Sequence, residues 1–185
     1  MRACFMGLGY IGLPTAIIAA KHGIDVIGVD INKEVVETTN EGRLHIIEPG
    51  LESLLKDVVT NGKLKAYTEP QISDAYFIVV PTPFKGEHEP DISYVEAATR
   101  MVIPLLKPND LFVIESTSPV GTTEKMMNLI YETRPELKDL IYIAYCPERV
   151  LPGNVIYELE NNDRVIGGIN EASTEKAKEF YRIFV

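Results

Sequence analysis

The feature that most constrains this chain is the alternation of short β-branched and apolar runs with longer helical stretches. Ala3–Met6, Asp25–Val29, Lys63–Tyr67, Tyr76–Val80, Leu111–Glu115, Ile141–Tyr145 and Arg164–Ile166 read as strands. Between them, Tyr10–His22, Lys33–Asn40, Leu51–Asn61, Ile92–Leu106, Thr122–Tyr131 and Glu171–Phe184 read as helices. Parallel neighbours need crossover connections of about this length, so the pattern predicts an α/β fold. The expected form is a doubly wound, mostly parallel sheet with helices on both faces. The punctuation agrees: Asn32, Asp91 and Asn170 precede helical runs as caps, and Gly23 follows Lys21-His22 as a left-handed stop.

A chain of 185 residues fits one domain, expected over 1–185, with its last helix near 171–185. The 45% of apolar residues excludes disorder. With 18 Lys and Arg against 27 Asp and Glu, the net charge of −9 argues against nucleic acid or an anionic membrane as a main partner. No apolar run reaches the roughly 18 residues of a membrane span. The segment Met1–Gly9 is too short and glycine-broken for a signal peptide, and Cys4 and Cys146 make neither a disulfide framework nor a zinc quartet. A reducing cytoplasm is therefore expected. His22 reads as a solvated residue at a helix end, and His45 and His88 sit in polar loops without ligand spacing, so no metal is expected.

Gly7-Leu8-Gly9-Tyr10-Ile11-Gly12 follows the first strand and opens the first helix, the context in which a GxGxxG string has physical meaning. Gly7 permits the tight turn, Gly9 lets backbone approach a diphosphate, and Gly12 lets the helix lie close on the strand. The amides of Tyr10 and Ile11 then face the phosphates at the positive end of the helix dipole. Asp30 ends the second strand, where a carboxylate accepts from both ribose hydroxyls and repels a 2′-phosphate, which favours NAD over NADP. Two readings compete: Asp30 as a cap for the following turn, and Lys33 as a base that helps hold a 2′-phosphate.

In such a sheet the ligand lies beyond the carboxyl ends of the strands, so three later strand ends are expected to bear chemistry. Val79-Val80-Pro81-Thr82-Pro83 presents a hydroxyl on a stiff turn. Glu115-Ser116-Thr117-Ser118-Pro119-Val120-Gly121-Thr122-Thr123 leads into another helix. Thr82, Thr117 and Thr123 offer neutral hydroxyls to a ribose or a water, or simply serve the turns. Tyr145-Cys146-Pro147-Glu148-Arg149-Val150-Leu151-Pro152-Gly153 is too rich in proline to continue as helix or sheet. Glu148 there suits a general base beside a guanidinium that holds an anion, or else forms a surface ion pair with Arg149.

These segments together resemble the nucleotide-sugar 6-dehydrogenases, in order and over the whole chain. Phe84–Asp91, Arg149–Gly153 and Asn162–Gly168 look most like the branch acting on UDP-N-acetyl-D-mannosamine; the UDP-glucose branch usually has Phe-Leu after the Pro-Glu pair. The resemblance implies a Rossmann-type domain and a four-electron, NAD-dependent oxidation of a sugar 6-hydroxyl to a carboxylate through a cysteine thioester. It implies that Tyr10, Ile11, Asp30, Thr82 and Thr123 contact NAD, that Thr117 and Glu148 hold a catalytic water, and that Arg149 and Val150 touch the UDP-sugar. It also implies a homodimer of the full-length enzyme, with the usual dimer contact in the C-terminal half. Family members run to more than twice this length, with the nucleophilic Cys, the catalytic Lys and most of the UDP pocket in the C-terminal half. Neither Cys4, expected in the core, nor Cys146, expected as a loop thiol, matches that nucleophile. The chain thus reads as the cofactor half, inactive alone.

Other classes share parts of the pattern. A standalone NAD(H)-sensing module needs the first motif and no substrate. A 3-hydroxyacid or 6-phosphogluconate type of oxidoreductase shares that motif but not the Glu148-Arg149 loop, and a methyltransferase does not need the threonine-bearing turns.

Overall fold

The structure, a computed structural model, describes residues 1–151 and 153–185. Pro152 of the third strand-end segment lies outside them. In chain order the elements are β1 (Arg2–Met6), α1 (Gly12–Lys21), β2 (Asp25–Val29), α2 (Lys33–Asn40), α3 (Leu51–Thr60), β3 (Leu64–Tyr67) and β4 (Ala75–Ile78). A small hairpin, β5 (Phe84–Lys85) and β6 (Glu89–Pro90), precedes α4 (Ser93–Val102). Then follow β7 (Leu111–Ile114), α5 (Thr122–Thr133), β8 (Tyr142–Tyr145), α6 (Val155–Asn161), β9 (Gly167–Gly168) and α7 (Glu171–Tyr181).

The main sheet runs in the order β3-β2-β1-β4-β7-β8-β9. All neighbours are parallel except β8 and β9, where Ala144 faces Gly168 and Tyr145 faces Gly167 in antiparallel register. Successive side chains of a strand point to opposite faces, and both faces are buried. Ala3 and Phe5 pack under α1, α3, α6 and α7, whereas Cys4 and Met6 pack under α4 and α5. The chain leaves β1 toward β2 on one side and reaches β4 on the other, so a crevice opens between the β1 and β4 ends.

The doubly wound sheet is the one expected, and its departures are local. The run Arg164–Ile166 is not a strand: β9 forms at Gly167–Gly168, because Arg164 turns inward to an acidic partner and Val165 stays exposed. Helix α6 was not expected, its seven residues being short and set just after a proline-rich loop. The helix foreseen to Leu106 ends at Val102 and tightens into a 3-10 turn at Ile103–Leu105 around Pro104. Asn32 and Asn170 cap as expected, accepting from Glu34 N–H (3.0 Å) and Ser173 N–H (2.8 Å). Asp91 accepts from Ser93 N–H at 2.8 Å.

Candidate functional site

A cleft of about 580 Å³ opens at the carboxyl ends of β1, β2, β4 and β7. One side is the turn from β1 into α1. Gly7 adopts φ +105°, and a Cβ there would stand 2.3 Å from the Val79 carbonyl oxygen. A Cβ on Gly12 would meet the Gly7 carbonyl oxygen at 2.0 Å, so these two glycines are demanded by packing. A Cβ on Gly9 would meet no atom within 4 Å, because it would project into open space. Among the described residues, the Tyr10 and Ile11 amides have no backbone acceptor. They are the unpaired donors of a helix start.

Asp30 stands across this turn at the end of β2. Its Oδ2 accepts from Leu8 N–H at 3.0 Å and its Oδ1 from Asn32 N–H at 2.9 Å. Asp30 is thus a turn acceptor and a cleft residue at once, with lone pairs left on both oxygens. The Leu8 peptide is held from its other side by His45, whose Nε2 lies 2.8 Å from the Leu8 carbonyl and donates to it. The polar loop around His45 carries no sequence signal for this contact.

Beyond β4 and β7 two turns are tied together. The Ser116 hydroxyl accepts from Val80 N–H (2.9 Å) and lies 2.7 Å from the Val80 carbonyl oxygen, while the Thr82 hydroxyl donates to the Thr117 carbonyl (2.7 Å). Thr82 and Thr117 both face the cleft. Tyr94, Ala97 and Met101 of α4 add an apolar wall that no motif announced.

At the back of the cleft lie Glu115 and Glu148. Glu148 Oε2 pairs with Arg164 Nη1, and its Oε1 accepts from Arg149 N–H at 2.7 Å. The Glu148 partner is therefore Arg164 and not the Arg149 guanidinium, which donates to the Asp163 carbonyl at 2.6 Å. Glu115 is buried, its Oε1 accepting from the Tyr181 hydroxyl at 2.5 Å, while its Oε2 has no partner among the described residues. Burial raises the Glu115 carboxyl to about 7, against the pull of the nearby Arg164 charge. The Arg164 guanidinium lies over the rings of Tyr181 (5.2 Å) and Phe184 (6.0 Å).

The cleft brings together Gly7, Gly9, Tyr10, Ile11, Asp30, Thr82, Thr117 and Glu148, with Gly12 packed behind the turn. Three expected residues stand apart. Thr123 lines a second hollow of about 300 Å³ beside Ser118 and Tyr145, and neither Arg149 nor Val150 borders the cleft. Val150 packs against the core. Cys146 opens the loop after β8 as expected but is fully buried, and burial pushes its thiol to about 12, as it does that of Cys4. A charged residue closing the apolar run Leu111–Ile114 was the one signal for Glu115.

Residues 1–185 match the model of the UDP-glucose/GDP-mannose dehydrogenase family, NAD binding domain. The chain belongs to that family. This NAD-binding domain is 53% identical, over 97% of its length, to a UDP-N-acetyl-D-mannosamine dehydrogenase of Escherichia coli K12, covering 45% of that protein. An NDP-N-acetyl-D-galactosaminuronic acid dehydrogenase of Ralstonia nicotianae is 50% identical over the same share, with 44% of it covered. Among solved structures, a UDP-N-acetyl-mannosamine dehydrogenase from Staphylococcus aureus superposes with a TM-score of 0.96 at 41% identity, covering all of this chain and 45% of that one. The domain therefore spans about half the length of these relatives. NAD fits the crevice on the chain's own geometry, since the bare Gly9 backbone borders open space and Asp30 faces it. No helix among the described residues is long and apolar enough to cross a membrane.

Proposed function

We propose that this chain is the cofactor half of an NAD-dependent dehydrogenase that oxidises the 6-hydroxyl of UDP-N-acetyl-D-mannosamine to the uronate, in the cytoplasm and as part of a homodimer. The observation that carries this reading is that Glu148 and Thr117 share one cleft with the glycine turn and Asp30. The 53% identity to the Escherichia coli enzyme supports the choice of sugar.

In this reading the turn Gly7–Gly12 binds the diphosphate through the Tyr10 and Ile11 amides, and Asp30 orients the adenosine ribose and rejects a 2′-phosphate. Bound NAD supplies the acceptor for hydride. Thr82 and Ser116 hold the turns after β4 and β7 at one spacing, so that Thr117 and Glu148 face the same volume. Glu148 takes a proton from a water held with Thr117, which is the work of a positioned base in acyl hydrolysis. Arg164 keeps its carboxylate aimed. Thr123, in the second hollow, is assigned to NAD, and Arg149 and Val150, on the loop after Glu148, to the UDP-sugar. With half of the reacting geometry supplied elsewhere, the isolated chain binds NAD and oxidises nothing.

Isothermal titration of NAD, NADP and UDP-N-acetyl-D-mannosamine into this chain tests the reading. NAD is expected to bind, NADP more weakly, and the sugar nucleotide weakly or not at all. Equal affinity for the two dinucleotides would remove the role of Asp30, and turnover by the chain alone would contradict the division of labour. Glu148→Gln in a longer protein carrying this domain should slow acyl hydrolysis and leave NAD affinity near normal.

A further inference from the structure

Glu48 lies in the segment between α2 and α3, away from every motif that the function uses, yet it is buried. Its carboxylate gathers three donors from two distant parts of the chain. The Tyr10 hydroxyl, on the glycine turn, donates to Oε2 at 3.0 Å; Gly153 N–H donates to the same oxygen at 2.9 Å; and Val155 N–H donates to Oε1 at 2.9 Å. Gly153 lies late in the segment that starts at Glu148, and Val155 opens α6. Three residues earlier, His45 holds the Leu8 carbonyl of the same glycine turn. The segment His45–Glu48 is thus a strap over the first turn, and its carboxylate is the joint between that turn and the loop bearing Glu148.

We propose that Glu48 is a positioning residue that couples the two halves of the cleft: the cofactor turn through Tyr10, and the Glu148–Val155 loop through the Gly153 and Val155 amides. The inference rests on the proposed function, in which the turn meets NAD and the loop bears the base. A carboxylate shared by three donors in a buried place is a strong, directional joint, and an unpaired donor left there is costly. Ordering of the turn by a diphosphate therefore reaches Gly153 and Val155. Because coupling is reciprocal, the factor by which a broken joint weakens NAD equals the factor by which NAD steadies the joint.

Amide hydrogen exchange at Gly153 and Val155, with and without saturating NAD, reads this directly, alongside titration of NAD. In the unaltered chain NAD should slow exchange at both amides. Tyr10→Phe deletes the bond from the turn and leaves both amides bonded to Glu48; it should weaken NAD by roughly tenfold and abolish the NAD-linked slowing. Glu48→Gln, which offers one acceptor oxygen in place of two, should do the same and also speed exchange without NAD. Merely structural residues would move basal exchange and not the NAD-linked part, and Tyr10→Phe keeps the test alive where Glu48→Gln fails to fold. Exchange at Gly153 and Val155 that ignores NAD in the unaltered chain, or is still slowed by it in Tyr10→Phe, overturns the coupling. A chain that binds no NAD at all strikes the proposed function instead, and this inference falls with it.

Discussion

Arg164 and Glu148 form an ion pair in which the two side chains keep only 6% and 7% of their exposure. Charges shielded to that degree are costly to separate, and a lone survivor is worse than none. Arg164→Met should destabilise the chain by about 3–5 kcal/mol, because Glu148 loses its partner and Glu115 its nearest opposite charge. Arg164→Met combined with Glu148→Leu should recover most of that loss. Urea denaturation of the single and double variants checks both statements.

Glu115 makes stability depend on pH in an unusual direction. Burial raises its carboxyl from 4.5 to about 7, so between those values the folded chain keeps a proton that the unfolded chain releases. The favourable contribution is complete below about 4.5 and fades as pH rises toward 7, by on the order of 3 kcal/mol. Glu115→Gln keeps an acceptor for Tyr181 and removes the titration. Its stability relative to the unaltered chain should improve from pH 5 to pH 8, measured as denaturation midpoints at the two values.

Gly12 and Gly9 of the first turn should separate by kind of damage. Gly12→Ala puts a methyl 2.0 Å from the Gly7 carbonyl and should lower the melting temperature. Gly9→Val finds room in the protein alone and should leave melting nearly unchanged, while titrated NAD no longer binds. A Gly9→Val chain that still binds NAD would remove the diphosphate from this turn.

Asp30→Ala should weaken NAD by about tenfold to a hundredfold, and NADP far less. The Leu8 amide loses its acceptor as well, so a modest fall in NADP affinity is expected from a looser turn. Parallel titrations of the two dinucleotides measure the ratio.

What could be read in the sequence was whatever depends on neighbours along the chain. Strand and helix periodicity, the caps at Asn32 and Asn170, and the glycine turn all follow from local chemistry, and they place Asp30, Thr82, Thr117 and Glu148 around one crevice. The partners of those residues were hidden because they come from far away. Arg164 reaches Glu148 across sixteen residues, Tyr181 reaches Glu115 across sixty-six, and Glu48 reaches Val155 across more than a hundred. Strand β9 was hidden for another reason: Gly167-Gly168 has no strand propensity, and its pairing is imposed by β8.

That short reversed strand has an effect out of proportion to its length. Because β9 runs against β8, α7 starts low on the sheet, with Ser173 at Ile143, and climbs to bring Tyr181 up to Glu115. A parallel β9 would send the same helix downward and leave its aromatic end roughly 16 Å away, given a rise of about 1.5 Å per residue. Two glycines thus act as a points switch, deciding which end of the strands receives the rings that shelter Arg164.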